Sequence, residues 1–178
     1  MIKIPTIFVR DLSRQPALVV PTWVEDTLWV KHGEGVATRK WDGTSVLIRD
    51  GKRYKRRELR GGEAAPANFE SLGTDENTGK TVGWVPVGDG PEDKWHREAP
   101  NPGHDGTFEL VGPKVNGNKD KFESHTLVAH GHLQIEDAPR EFDSLRAWLA
   151  DHQIEGIVWH HPDGRMAKIK RRDFGLKW

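Results

Sequence analysis

Three of the five Asp-Gly dipeptides in this chain, each set between short runs of alternating apolar and polar residues, constrain its fold. They are Asp42-Gly43, Asp50-Gly51 and Asp163-Gly164. Asp-Gly favours a tight turn between two neighbouring antiparallel strands. The sequence therefore predicts a fold dominated by antiparallel hairpins, with a hairpin at each of these dipeptides.

The alternating and apolar runs predict nine strands. Their bounds are residues 1–10, 23–30, 36–40, 45–49, 53–57, 107–111, 127–135, 155–160 and 165–170, with Ile2, Ile4, Ile7 and Val9 as the apolar members of the first. Residues 61–105 contain many glycines and five prolines, and they predict a long irregular insertion with one strand around residues 83–87. The sequence thus predicts a single α+β domain over residues 1–178.

The clearest helix is predicted at residues 142–151. Leu145, Trp148 and Leu149 are spaced to form one apolar stripe on a helix. Asp143 or Ser144 can cap its amino-terminal end. Helices are otherwise few in the prediction, so the core must come mainly from sheets.

The formal net charge is zero, but the charges are unevenly distributed along the chain. Residues 39–60 hold nine Lys and Arg against three acids, and residues 165–178 hold six against one, whereas residues 63–109 hold ten acids against three basic residues. Two basic blocks suit a polyanion if the fold brings them together, and an ordinary charged surface is the alternative.

The composition also bounds the cellular setting. The chain has no cysteine, which excludes disulfides and thiolate metal sites and fits a reducing cytosol. It has no apolar run long enough for a membrane span and no signal-peptide pattern at its start. We therefore expect a cytoplasmic protein without a membrane partner, and no obligate protein partner is evident.

Lys40 lies at the end of a predicted strand, directly before the turn at Asp42-Gly43. A protonated lysine is not a nucleophile, so a reactive Lys40 must first lose its proton. Nearby cations and partial burial favour that loss, and the basic segments around Arg56 and Lys168 could supply the charge. A solvent-exposed lysine at a strand end is the alternative, and this short segment alone does not decide between them.

Two carboxylates stand in or beside apolar strands. Glu109 interrupts the apolar run from Phe108 to Val111, and Glu155 precedes the run that starts at Gly156. Carboxylate oxygens suit a ribose hydroxyl or a hard divalent cation such as Mg²⁺ or Mn²⁺. The alternatives are a solvent-facing charge for Glu109 and a helix-to-strand connector for Glu155.

Lys168 and Lys170 are two residues apart in a predicted strand. They therefore share one face of that strand, while Ile169 points to the core. Two ammonium groups on one face suit the α-phosphate of a nucleotide and its leaving pyrophosphate.

In this order the segments resemble the motif series of the covalent nucleotidyltransferases, the superfamily of ATP-dependent ligases and mRNA capping enzymes. The series comprises Lys40-Trp41-Asp42-Gly43, an arginine, Phe108–Gly112, Glu155–Val158 and Lys168–Lys170. More closely, residues 3–5, 33–40, 109–116 and 168–176 resemble the small 5′-to-3′ RNA ligase family of vertebrates, some bacteria and phages. The resemblance covers most of the chain. It implies a nucleotidyltransferase fold, an ATP-grasp-like ligase adenylation domain built from antiparallel sheets.

The resemblance implies a role for each matching residue around the nucleotide. Lys40 would attack ATP and carry AMP, and Asp42 and Gly43 would shape its loop. Arg56 or Arg57 would hold the ribose or the phosphates, and the spacing does not choose between them.

The same resemblance assigns the acidic and downstream basic residues. Glu109 would contact the ribose and also offers a metal ligand, and Glu155 would coordinate Mg²⁺ or Mn²⁺. Lys168 and Lys170 would bind the α-phosphate and neutralise the departing pyrophosphate. The RNA backbone would be held by the basic residues around 52–60, including Arg60, and by the tail residues Arg171, Arg172 and Lys177.

One departure from the family pattern concerns the base. Many relatives carry an aromatic residue on the strand after Phe108–Gly112 to stack on adenine, and here residues 126–131 offer only His130. His130 is therefore a candidate base platform, with a polar strand-end residue as the alternative. A zinc site from His125, His130 and His132 is not expected, because no acidic or cysteine partner completes the set.

The implied reaction joins a 5′-phosphate and a 3′-hydroxyl of RNA through AMP on Lys40 and an adenylated RNA 5′ end. Only 39 residues precede Lys40, which favours ATP over NAD, and the chain ends eight residues after Lys170, so no OB-fold is expected. Two alternatives stay open. One is another covalent nucleotidyltransferase, a DNA ligase or a GTP-using capping-type enzyme, and the other is a non-catalytic RNA-binding module.

Overall fold

The fold is that of a computed structural model, which describes residues 3–76 and 78–178. These residues form eleven strands, three α-helices and three short 3₁₀ helices, and all pairings between the named strands are antiparallel. The strands are β1 (Phe8–Asp11), β2 (Leu18–Trp23), β3 (Val36–Lys40), β4 (Thr44–Arg49), β5 (Lys52–Leu59), β6 (Glu70–Asp75), β7 (Lys80–Pro86), β8 (Gly106–Val111), β9 (Thr126–Ala129), β10 (Gly156–His160) and β11 (Met166–Lys170). The helices are α1 (Leu28–Lys31), α2 (Lys94–Glu98) and α3 (Phe142–Asp151), with 3₁₀ turns at Glu25–Thr27, Pro91–Asp93 and Arg171–Phe174. The predicted α+β class with antiparallel sheets is confirmed.

The described residues divide into two compact units. The first comprises Asp42–His130 together with Lys3, and the second comprises Ile4–Trp41 and Gly131–Trp178. The expectation of one domain over the whole chain stays a prediction. Among residues 3–76 and 78–178, no helix combines the length and the apolar character that crossing a bilayer requires.

The first unit is built on a six-stranded sheet with the order β6-β7-β5-β4-β8-β9. Strands β4 and β5 form the predicted hairpin, with Arg49 paired to Lys52 across the turn. Asp50 and Gly51 both adopt left-handed conformations there, with φ of 52° and 68°. Because Asp and Gly tolerate this conformation better than other residues, the dipeptide fixes the turn and hence the register of the hairpin.

The segment between residues 61 and 105 contains more regular structure than the sequence predicts. The expected strand is β7, and β6 pairs with it at the edge of the sheet. The register of β6 shifts between Ser71 and Gly73. This bulge interrupts the alternation of apolar and polar residues by which a strand is recognised in a sequence. The sequence analysis therefore did not predict β6.

The second unit contains a three-stranded sheet, β11-β10-β3, and the β1-β2 pair. Strands β10 and β11 form the hairpin predicted around Asp163-Gly164. Ile157, Trp159 and Ile169 on one face of the sheet are fully buried and pack with Leu145 and Leu149 of α3. The predicted apolar stripe of α3 is therefore the one that covers this sheet.

Several local predictions were wrong. Residues 24–30 continue from β2 into a 3₁₀ turn and α1 rather than a strand, because a short apolar run does not distinguish a buried helix from a strand. Asp42-Gly43 does not close a hairpin, since β3 pairs with β10 whereas β4 pairs with β5 and β8. The strand predicted at 127–135 ends at Ala129, before Gly131 in a left-handed conformation.

The predicted start of the first strand and the predicted cap of α3 were also wrong. Glu141 is the N-cap residue of α3, and no side chain caps that end. The hydroxyl of Ser144 instead donates to the carbonyl of Glu141. The first strand begins at Phe8, and Ile2 lies outside the described residues.

Candidate active site

One face of the three-stranded sheet in the second unit carries three lysines. Gly156 on β10 pairs with Lys40 on β3 and with Lys170 on β11, and Lys168 lies two residues before Lys170. Because side chains alternate along a strand, the three lysines share this face. Ile169 lies on the other face and is fully buried, as the alternation predicts.

Gly156 is the residue that lets these strands come together. A Cβ atom on Gly156 would lie 2.1 Å from the carbonyl oxygen of Ile169 and 2.8 Å from the Cα of Lys170. Neither contact is compatible with a side chain. The close backbone approach at this glycine is therefore an approach to β11.

Glu155 joins two of the lysines. Its Oε2 atom lies 2.5 Å from Lys40 Nζ, and its Oε1 atom lies 2.9 Å from Lys170 Nζ. The side chain of Glu155 is 8% exposed, and those of Lys40 and Lys170 are 19% and 13% exposed. Lys40 Nζ also donates to the carbonyl of Trp41 at 3.2 Å. The carboxylate thus fixes both amino groups in a largely desolvated setting.

The cluster has more positive than negative charge. Burial of Lys168, reinforced by the charges of Lys170 and Lys40, lowers its pKa to about 8. Burial also lowers the pKa of Lys170, and the charge of Lys40 acts in the same direction while Glu155 opposes it. Three amino groups near the carboxylates of Glu155 and Asp173, of which Asp173 is also paired with Arg10, leave an excess of positive charge that favours the binding of an anion.

Asp173 supports the cluster from the 3₁₀ turn that follows β11. Its Oδ2 atom accepts a hydrogen bond from the backbone N–H of Lys170 at 2.9 Å, and its Oδ1 atom lies 2.6 Å from a guanidinium nitrogen of Arg10. The carboxylate is 3% exposed. Its negative charge also acts on Lys168 against the effect of burial. The sequence analysis assigned no role to Asp173, although this residue lies within the segment 168–176 that resembles the RNA ligases.

In the first unit Glu109 is the centre of a polar group on β8. Its Oε2 atom accepts hydrogen bonds from the hydroxyl of Ser45 at 3.2 Å and from Nε2 of His130 at 2.9 Å. Glu109 is 7% exposed. The other ring nitrogen of His130, Nδ1, is buried without a hydrogen-bond partner among the described residues. His130 therefore holds the Glu109 carboxylate, and its role as a base platform stays a prediction.

The register of the six-stranded sheet distinguishes Arg56 from Arg57. Ser45 pairs with Glu109 across β4 and β8, and Val46 pairs with Lys55 across β4 and β5. Alternation then places Arg56 on the same face as Ser45 and Glu109. Arg57 lies on the other face, where its guanidinium is 2.8 Å from Glu63.

The Asp42-Gly43 segment is held by the loop after β8. The side-chain amide of Asn116 donates to Asp42 Oδ1 at 3.1 Å and to the Gly43 carbonyl at 2.8 Å. The N–H of Asp42 donates to Asp120 Oδ2 at 3.1 Å. A Cβ atom on Gly43 would lie 2.2 Å from the carbonyl of Leu110, so only glycine fits there. The sequence analysis assigned no role to Asn116 or Asp120. The polar residues that follow β8 were the only indication in the sequence that this loop makes polar contacts.

The residues predicted to hold RNA differ in their settings. Arg60, Arg172 and Lys177 are exposed, as phosphate-binding residues would be. Arg171 is only 5% exposed, and its guanidinium donates to carbonyl oxygens at the end of α3 and to the Lys177 carbonyl. The interpretation of Arg171 as an RNA contact is corrected, because this side chain closes the end of a helix.

The histidines considered for zinc have other surroundings. His125 is buried, stacks on Trp95 at 4.7 Å between ring centroids, and lies 3.2 Å from Glu98. Across residues 3–76 and 78–178, no group of three or more His, Asp or Glu side chains is arranged to hold a metal ion. A metal at Glu155 or Glu109 would accordingly need ligands from substrate or water.

Comparison with known proteins places the second half of the chain in a family context. The profile of the RNA ligase 1 family matches residues 102–178. This range includes Glu109, His130, Glu155, Lys168 and Lys170, whereas Lys40 precedes it.

Three curated relatives bear the same description. The RNA ligase 1 of Danio rerio is 44% identical in an alignment of 81 residues that covers 40% of this chain and 25% of that protein. That of Mus musculus is 33% identical in an alignment of 141 residues that covers 58% of this chain and 43% of that protein. That of Rattus norvegicus is 38% identical in an alignment of 81 residues that covers 40% of this chain and 25% of that protein. The chain thus spans less than half the length of these relatives.

Proposed function

Because this chain is related to the RNA ligase 1 proteins and sets Lys40, Lys168 and Lys170 around Glu155, we propose that it is an ATP-dependent RNA ligase. The proposed reaction joins 5′-phosphate and 3′-hydroxyl RNA ends. It proceeds through AMP on Lys40 and then through an adenylated RNA 5′ end. The arrangement of Lys40 and Lys170 on the two oxygens of Glu155 is the observation that carries this proposal.

In the first step Lys40 Nζ attacks the α-phosphorus of ATP. A phosphorus–nitrogen bond forms, the bond from the α-phosphorus to the bridging oxygen breaks, and pyrophosphate leaves with the electron pair. Nζ must lose a proton before it attacks, and Glu155 Oε2, at 2.5 Å, is positioned to accept it. The buried setting of the pair keeps water from competing for the same phosphorus.

Lys168 and Lys170 supply positive charge where negative charge develops. Both lie on the same face of the sheet as Lys40. A non-bridging oxygen of the α-phosphate and the departing pyrophosphate gain charge during the step, and fixed ammonium groups stabilise it without reorganisation. Asp173 holds the backbone of Lys170 and thereby positions its side chain.

The donor set fits Mg²⁺ or Mn²⁺ at Glu155. Mg²⁺ is commonly held by one or two carboxylates with substrate phosphates and water completing its shell. Glu155 offers such a carboxylate, and Glu109 offers a second hard-oxygen donor in its own unit. The metal, when bound, would neutralise charge on the transferring phosphoryl group.

The polar group of the first unit suits a nucleoside. The Glu109 carboxylate is held by Ser45 and His130 and can accept a ribose hydroxyl. Arg56 shares its face of the sheet, so we assign the ribose or phosphate contact to Arg56 rather than Arg57. The buried Nδ1 of His130 offers a further polar contact.

In the second step an oxygen of the RNA 5′-phosphate attacks the phosphorus of the lysine-bound AMP, and the phosphorus–nitrogen bond breaks. In the third step the 3′-hydroxyl attacks the activated 5′-phosphate, and AMP leaves. Arg60, Arg172 and Lys177 are the exposed basic residues proposed to hold the RNA backbone.

Incubation with each α-labelled nucleoside triphosphate, followed by a denaturing gel, tests the first step. We expect a labelled protein band with ATP that disappears in the Lys40→Ala variant. An adduct with GTP but none with ATP would point to a capping-type enzyme. A Lys40→Ala variant that retains all measurable activity would favour a non-catalytic RNA-binding module.

Joining of 5′-phosphorylated RNA, compared with a DNA substrate of the same sequence, tests the later steps. We expect joining of RNA and its loss without the 5′-phosphate. Joining of DNA alone would contradict the proposed substrate while leaving the covalent step intact.

A further inference from the structure

An open cleft of about 550 Å³ lies at the β4–β5 turn end of the six-stranded sheet. Ile48, Tyr54 and Val87 form its apolar wall, and Lys52, Arg53 and Arg97 bring positive charge to it. Its volume is within the range of small-ligand sites. Glu109 belongs to the same unit but pairs with Ser45 near the other end of β4, roughly 10 Å away at the usual rise of a strand. The cleft is thus separate from the polar group around Glu109.

The positive charges of the cleft differ from their neighbours because they lack acidic partners. Several basic residues of the same sheet are paired with acids, most of which lie in the segment that follows β5. The pairs are Arg49 with Glu70, Lys55 with Asp93, Arg57 with Glu63 and Lys80 with Glu58. In the part of the chain that the structure describes, Lys52, Arg53 and Arg97 form no ion pair with a carboxylate. The neutralisation of much of the basic block therefore leaves this cleft as a place in the first unit where an anion is favoured.

The two arginines are fixed in place. Arg53 Nη1 donates to the carbonyls of His96 and Ala99, and Arg97 Nη1 donates to the carbonyls of Gly88 and Gly90. Each guanidinium retains further N–H groups, and carbonyl partners leave its full charge in place. A ligand that binds here does not have to order these side chains, so less conformational entropy opposes its binding.

We infer that this cleft binds an unpaired nucleotide of the RNA substrate, apart from the polar group around Glu109. A phosphodiester supplies the anion that the three cations lack, and a base or ribose supplies the apolar surface that Pro86 and Val87 can cover. The open form of the cleft admits a continuous strand. The inference rests on the proposed function, because only the proposed ligase activity identifies the bound polymer as RNA.

Two variants place negative charge in the cleft without removing a contact that supports the fold. Lys52→Glu changes an exposed side chain that forms no hydrogen bond or ion pair among the described residues. Asn101→Asp keeps the side-chain oxygen that accepts the N–H of Gly103 at 3.0 Å. Lys31→Glu is the matched control, because Lys31 is exposed in the other unit and the charge change equals that of Lys52→Glu.

Fluorescence anisotropy with a 5′-phosphorylated RNA, without ATP, measures the effect. Relative to Lys31→Glu, we expect Lys52→Glu and Asn101→Asp to weaken RNA binding about three- to tenfold at low salt. The slope of log affinity against log salt concentration should become less steep by about 0.7 in Lys52→Glu, because each phosphate contact with a single strand contributes about that amount to the slope.

Two outcomes overturn the inference. If Lys52→Glu and Lys31→Glu bind RNA equally well, the cleft does not contact RNA. If the cleft variants weaken binding of AMP alone but not of RNA, its occupant is a free nucleotide. Labelling of Lys40 by ATP, measured on the same preparations, tests the proposed function separately. If the protein binds RNA through the cleft but forms no labelled adduct, the proposed ligase activity is refuted and the inference about the cleft stands.

Discussion

Replacing Gly156 by alanine tests how closely β10 and β11 must approach for the lysines to meet Glu155. The new Cβ atom would lie 2.1 Å from the carbonyl oxygen of Ile169, whereas ordinary contacts begin at 3.4 Å. The difference, 3.4 − 2.1, requires the two strands to separate locally by about 1.3 Å. Backbone hydrogen bonds do not survive that displacement, and the amino group of Lys170 would move away from Glu155.

The expected cost has two parts. Overpacking in a closely packed region lowers the free energy of unfolding by about 1–3 kcal/mol. For a chain of this size that corresponds to a fall in melting temperature of about 2–12 °C. We also expect slower labelling of Lys40 by ATP, because the phosphate-binding lysine is displaced.

Urea unfolding and labelling by α-labelled ATP are measured together. Gly61→Ala is the matched control, because the nearest atom to its Cβ would be 3.6 Å away and Gly61 does not adopt a left-handed conformation. We expect that variant to stay within about 0.5 kcal/mol of the parent protein. If Gly156→Ala had the same unfolding midpoint and labelling rate as Gly61→Ala, the argument from close approach would be refuted.

Three further outcomes follow from the geometry. The affinity for a non-cleavable ATP analogue should fall as pH rises through about 8, because Lys168 then loses its charge. Lys170→Met should raise the pKa of Lys168 and so move this fall to higher pH. If the midpoint of the fall did not move, the argument would be wrong. Arg56→Ala should weaken nucleotide binding about tenfold while Arg57→Ala changes it little, and equal effects in a titration would refute the choice between them. Arg171→Ala should lower the free energy of unfolding by about 2–4 kcal/mol in urea without a selective loss of RNA affinity, since its guanidinium holds carbonyl oxygens.

The predictable parts of the fold are those whose signal is local. The hairpins at Asp50-Gly51 and Asp163-Gly164 follow from turn residues between alternating strands, and α3 follows from its apolar stripe. The turn at Asp42-Gly43 has the same local signal and yet closes no hairpin. Its glycine is required by the close approach to Leu110, a contact between residues far apart in sequence.

The candidate site divides in the same way. The series from Lys40 to Lys170 indicated which residue types belong together, and the RNA ligase resemblance that it suggested is confirmed by the match over residues 102–178. The sequence did not show that Glu155 contacts both Lys40 and Lys170, nor that Arg56 rather than Arg57 shares a face with Glu109.

The sequence by itself determined the sheet-rich class, the alternation that puts Lys168 and Lys170 on one face, and the order of the charged motifs along the chain. Tertiary structure alone decided which charges remain available. It buried Arg171 against the end of α3, and it neutralised much of the basic block with acids that follow it. The physical reason is that turn formation and alternation depend on neighbouring residues, whereas desolvation and ion pairing depend on residues that only the folded chain brings within a few ångströms.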